Sequence, residues 1–99
     1  FNDSFFNFVN SISRDANLFN VYIYIIKFYL INSIKFQLGI IDLNNKEIIS
    51  NIEEISNKVS IVKIIKVLSY LDNNIKKVKT FNLDRKLFMI NSFSQLINY

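Results

Sequence analysis

The Ser60-Ile61-Val62-Lys63 segment has the Ser-x-x-Lys spacing that sets a lysine amine one helical turn from a serine hydroxyl, the layout of a lysine-activated nucleophile. The companion motifs of such enzymes are missing, because Lys79-Thr80 is followed by Phe81 and not by glycine. Ser60 and Lys63 therefore read as surface residues at a helix start. Glu53 and Glu54 are sequence neighbours, so on a helix they point about 100° apart and cannot converge on one bond or one metal. Asp42 and Glu47 bracket a connector, where solubility and capping account for them. The chain has neither cysteine nor histidine, which removes disulfides, thiolate nucleophiles, most zinc sites and the commonest general base. Its one glycine, Gly39, leaves no phosphate-cradling loop. The expectation is a domain with no catalytic residues, metal, cofactor or small-molecule substrate.

The cations form the other candidate chemistry. Residues 1–57 hold four basic and six acidic side chains and 58–99 hold eight basic and two acidic, so the halves carry −2 and +6 within a net +4. Lys63, Lys66, Lys76, Lys77, Lys79 and Lys86 are a candidate basic surface for phosphates or an acidic partner. No GXXG loop or RNP run accompanies them. Isoleucine, asparagine, lysine and phenylalanine dominate the 99 residues, the mark of an AT-rich genome that raises lysine everywhere. A solvated polar face thus accounts for most of these lysines, and a basic nucleic-acid-binding domain is the alternative.

These residues must be positioned by helices. Ninety-nine residues with 51% hydrophobic content suit one small domain. Asp3 can cap a helix over roughly Ser4–Ser13, where Phe5, Phe8, Val9 and Ile12 fall at helical spacing, and residues 14–17 form a break. From Leu18 to about Leu38 runs the most apolar segment. Lys27 and Lys35 inside it count against a membrane span, each costing about 2.5–3.5 kcal/mol at a bilayer centre. It reads as the central helix of a bundle, with a buried strand at residues 21–26 as the lesser alternative and Gly39 as the stop.

Asn44 and Glu47 have capping-box spacing ahead of a third helix striped by Ile48, Ile49, Ile52 and Ile55 and ending near Asn57. Ser56 or Asn57 is the expected cap of the fourth, with Ile61, Ile64, Ile65, Leu68, Leu71, Ile75 and Val78 as its apolar stripe. Thr80–Asn82 turns into a final helix, giving an all-α bundle of about five antiparallel helices. Phe5, Phe6, Phe28, Tyr29, Phe36, Phe81, Phe88 and Phe93 are more aromatics than so small a bundle easily buries, and aromatics favour interface cores. The first residue is Phe1, not Met, and no signal-peptide pattern opens the chain, which reads as a piece of something longer.

In the closing stretch, Asn82-x-Asp84-x-x-Leu87 followed by an apolar helix resembles the Asn-x-Asn-x-x-Leu end of the clamp-loader collar domain of bacterial DNA polymerase III subunits, nearest to the delta-prime type. Asp84-Arg85-Lys86-Leu87 matches an Asn-Arg-acidic-Leu segment of that family and Tyr99 an aromatic at the helix end, and Leu30–Gly39 and Ile41–Ile65 run in similar register. The likeness spans roughly residues 18–99. Asp84 replaces the family's second asparagine, Lys86 replaces an acidic residue, and the loop before Asn82 is one residue longer. The resemblance implies a non-catalytic cytoplasmic collar that joins delta and gamma/tau subunits in the ring that loads the sliding clamp, touching DNA only through the complex. Phe81, Asn82, Asp84, Arg85, Phe88 and Phe93 are its candidate partner-contacting residues.

Overall fold

Residues 3–40, 42–80 and 84–97 are described by the computed structural model, and among them the chain forms five α-helices and no strand. Helix α1 (Asp3–Ser13) begins one residue early and takes Asp3 into its first turn. Helix α2 (Ala16–Gln37) begins before the expected Leu18, because Asp15 adopts an extended conformation and its Oδ1 accepts from the Asn17 and Leu18 N–H groups at 2.7 and 3.4 Å. The β-branched run at 21–26 is helical. Phe19, Ile23 and Leu30 on α2 are all buried, and that packing outweighs the small propensity penalty.

Gly39 stops α2 as its spacing suggests. Its φ of +73° is a conformation that L side chains rarely adopt, and it lets the Gly39 N–H reach Phe36 O (3.0 Å) while the Ile40 N–H reaches Lys35 O (2.9 Å). Helix α3 (Lys46–Lys58) is capped one residue later than expected. Asn45, not Asn44, is extended and accepts from the Ile48 N–H at 3.0 Å, which makes Glu47 the second helical residue and removes the capping-box geometry. Helix α4 (Ile61–Thr80) is capped by Ser60, whose Oγ accepts from the Lys63 N–H at 3.3 Å, rather than by Ser56 or Asn57. Helix α5 (Arg85–Ile97) starts from Asp84, whose Oδ1 accepts from the Lys86 and Leu87 N–H groups at 2.9 and 3.3 Å.

Helix α2 is the central element and packs on α1, α3 and α4, while α5 closes the structure by lying on both α4 and α1. One apolar cluster joins Val9 and Ile12 of α1, Phe19, Ile23 and Leu30 of α2, Ile64, Val67, Leu71 and Val78 of α4, and Phe88 and Met89 of α5. The buried stripe of α4 is rotated from the expected one: Val67 is buried and Ile65 is exposed. Ile52 of α3 is fully buried but stands outside that cluster. At 22 residues α2 is about 33 Å long, in keeping with the molecule's 39 × 26 × 25 Å extents.

The contact between α2 and α3 is polar as well as apolar. Gln37 Nε2 donates to Ser33 Oγ (3.3 Å) and to Val59 O (3.1 Å), Ser33 Oγ lies 2.8 Å from Ser56 Oγ, and Ser56 Oγ donates to Ile52 O (2.7 Å). An amide nitrogen can only donate and a carbonyl can only accept, so the two hydroxyl protons must point one way along the chain, Gln37 to Ser33 to Ser56 to Ile52.

Candidate partner-binding surfaces

The closing segment is a joint inside the domain. Asp84 caps α5, and the Arg85 Nε next to it donates to Ser13 O at 2.7 Å, tying the start of α5 to the end of α1. Phe88 is only 4% exposed, stacked on Tyr70 at a centroid distance of 5.6 Å and tilted against Phe19 at 5.8 Å. Its ring therefore packs into the chain's own core. Phe93 is half-buried, with its ring edge-on to Phe5 at 5.4 Å. Phe81 and Asn82 lie outside the described residues.

The described candidate lysines are spread along α4 and onto α5. Lys63 and Lys66 sit near the start of α4, whereas Lys76 and Lys77 are exposed near its end, ten or more residues on, or about 15 Å along the axis. Lys86 is half-buried in the first turn of α5, and the side chain of Lys79 lies outside the described residues. The Ser60–Lys63 spacing makes a helix cap: the serine oxygen is engaged by a backbone N–H, and the lysine side chain lines a groove. Glu53 and Glu54 are both exposed, and Glu54 Oε1 pairs with Lys58 Nζ at 3.1 Å. Among the described residues no group of three or more acidic side chains could hold a metal.

Two surfaces were not legible as such in the sequence. The first is the outer face of α2, where Val21, Tyr24, Ile25, Phe28 and Ile31 fall at i, i+3, i+4, i+7 and i+10 and so share one stripe. Phe28 is half-buried and the other four are exposed, Tyr24 by 74%. Tyr24, Phe28 and Ile31 also line a groove of about 410 Å³ against Leu68 of α4, with the Lys27–Asp72 ion pair at its rim. The signal was present: an α2 that is apolar nearly all round, in a domain this small, leaves an apolar face uncovered. The second surface is a groove of about 520 Å³ lined by Ser60, Val62, Lys63 and Lys66 of the α4 start and Gln95 of α5. The grooves lie on opposite flanks of α4, one facing α2 and the other α5.

No helix among the described residues is long and apolar enough to cross a membrane. The exposed stripe of α2 is a contiguous apolar face, of the kind that marks an interaction site when it exceeds scattered single residues. A family model described as the C terminal of the DNA polymerase III delta subunit matches residues 2–97. The match takes in α1, which lies before the stretch carrying the likeness noted in the sequence. Comparison with curated proteins and with solved structures gave no match.

Proposed function

Since the chain belongs to the family of C-terminal domains of the DNA polymerase III delta subunit, we propose that it is a non-catalytic assembly domain of a clamp loader, working in the cytoplasm and reaching DNA only through the assembled complex. The observation that carries this is the bare apolar stripe Val21-Tyr24-Ile25-Phe28-Ile31. A small domain gains nothing by leaving four exposed apolar side chains around a half-buried phenylalanine on one face of its central helix unless another surface covers them.

The narrower reading, as the delta-prime subunit with delta and gamma/tau as neighbours, is supported by Asn82-x-Asp84-x-x-Leu87. Asp84 replaces the asparagine of the resembled motif, yet it does an asparagine's work, since both are strong N-caps and Asp84 caps α5 here. Nucleic-acid binding is the weaker reading, because the lysines divide between the two ends of α4.

Size-exclusion chromatography of the chain with the C-terminal domains of delta and of gamma/tau tests the proposal. Co-elution with both is expected, and Val21→Asp with Tyr24→Asp should abolish it without unfolding the protein. Failure of the wild-type chain to co-elute with either domain would overturn the assembly reading.

A further inference from the structure

The groove between α2 and α4 carries a charge pattern that the α2 stripe alone does not. Both of its walls are apolar: Tyr24, Phe28 and Ile31 come from α2 and Leu68 from α4. Ile65, three residues before Leu68 and so on the same flank of α4, is 51% exposed and extends the second wall. The charged residues lining the groove are Lys27 and Asp72, one on each wall and in contact with each other. Ile31 and Leu68, four residues after Lys27 and four before Asp72, also share the groove, so α2 and α4 run antiparallel and their walls keep step. The face is neutral as a whole, with its cation on one wall and its anion on the other. Such a face is its own complement. A two-fold axis running along the groove sets α2 of each copy over α4 of the other, which brings Lys27 over Asp72, Asp72 over Lys27 and Ile31 over Leu68.

We propose that the free chain covers this face with a second copy of itself, paired about that axis. The two copies then place four charges of alternating sign inside an apolar contact, where like charges would be costly. Elsewhere the net charge of +4 sets two copies against each other, which leaves a neutral face as the place where they can meet. Nucleic acid fits less well, because phosphates gain nothing from a groove whose lysine and aspartate neutralise each other. Seven of the described residues line the groove, against roughly 20–30 a side in a standard interface, so the pair is weak and reversible. Its consequence rests on the assembly reading: self-pairing masks Tyr24 and its neighbours until a clamp-loader partner displaces the second copy.

Sedimentation equilibrium of the full chain from about 10 μM to about 1 mM tests the pairing. The apparent mass should climb from 11.7 kDa toward twice that value, and a mass that stays at 11.7 kDa overturns the proposal. K27D and D72K each put like charges across the axis, and each should weaken self-pairing at least about ten-fold, with melting temperature as the check on folding. Mixed one to one, the two variants set an all-acidic groove against an all-basic one. They should pair with each other at least as tightly as the wild type pairs with itself. An ion pair that acts only within one chain predicts no such rescue. Single variants that pair as the wild type does, or a mixture no tighter than either variant alone, would therefore overturn the proposal. Adding the C-terminal domain of delta or of gamma/tau to the wild type separates the two readings. Self-pairing without co-elution keeps this inference and removes the assembly reading, whereas co-elution by a chain that stays monomeric does the reverse. A complex that retains the paired copies removes the masking.

Discussion

The α2–α3 and α4–α5 pairs are neighbouring helix contacts in one small domain, held by different forces. Between α4 and α5 the contact is apolar and aromatic: Tyr70 stacks on Phe88, with Ile64, Leu71 and Met89 fully or almost fully buried in the same cluster. Between α2 and α3 a directional chain of hydrogen bonds runs from Gln37 through Ser33 and Ser56 to Ile52 O, beside the isolated buried Ile52. Apolar burial supplies energy but tolerates sliding, whereas a hydrogen-bond relay contributes modestly and is intact in one register only. The first pair should therefore set how stable the domain is, and the second should set where α3 sits.

The strongest way to break this contrast is Phe19→Ala, which opens a cavity where α2 meets Phe88. A loss of about 3–5 kcal/mol is expected in urea unfolding, in one cooperative transition, with a Tm drop above about 10 °C. A loss below about 1 kcal/mol would mean that the core is not the energetic centre. Ser33→Ala tests the other side, because it strands the relay partners of a fully buried hydroxyl. It should cost about 1–3 kcal/mol, and adding Ser56→Ala should cost less than a second such loss, since both partners are then gone. Hydrogen exchange should show α3 amides opening more easily than those of α4 in the Ser33→Ala protein.

Smaller changes sharpen the picture at the junction. Asp84→Ala should lower stability by about 1 kcal/mol through loss of the α5 cap, while Asp84→Asn should be nearly neutral. A large loss on Asp84→Asn would show that the carboxylate does more than cap. The smallest effect is expected from Asp72→Asn, which removes the exposed ion pair with Lys27. Thermal unfolding should register about 0.2–1 kcal/mol at low salt and less at high salt.

Most of the helical frame was legible in residue spacing, and its errors have physical causes. Asn44 and Asn45 are equally good caps by type, and only the extended backbone at Asn45 decides between them. Ser56 resembles a cap in sequence, but it faces α2 and joins the relay, leaving Ser60 to start α4. On α4 the exposed Val62 and Ile65 add apolar residues to the wrong face, so counting apolar positions put Ile65 inside and missed Val67. Phe88 has the residue type of an interface aromatic, and only its stacking on Tyr70 reveals a core residue. The α2 stripe escaped notice because α2 is apolar on nearly every side, and sequence does not say which side lacks a neighbour.

The hydrogen bond from Arg85 to Ser13 O links positions 72 residues apart and joins the first helix to the last. Phe93 meets Phe5 across a still longer interval. On a ribosome adding 5–20 residues per second, α1 and α2 therefore wait roughly 4–14 s for the helix that closes over them. During that wait the aromatic rings of Phe5 and Phe19 lack their α5 partners. The contacts that close this domain are thus the last its synthesis supplies.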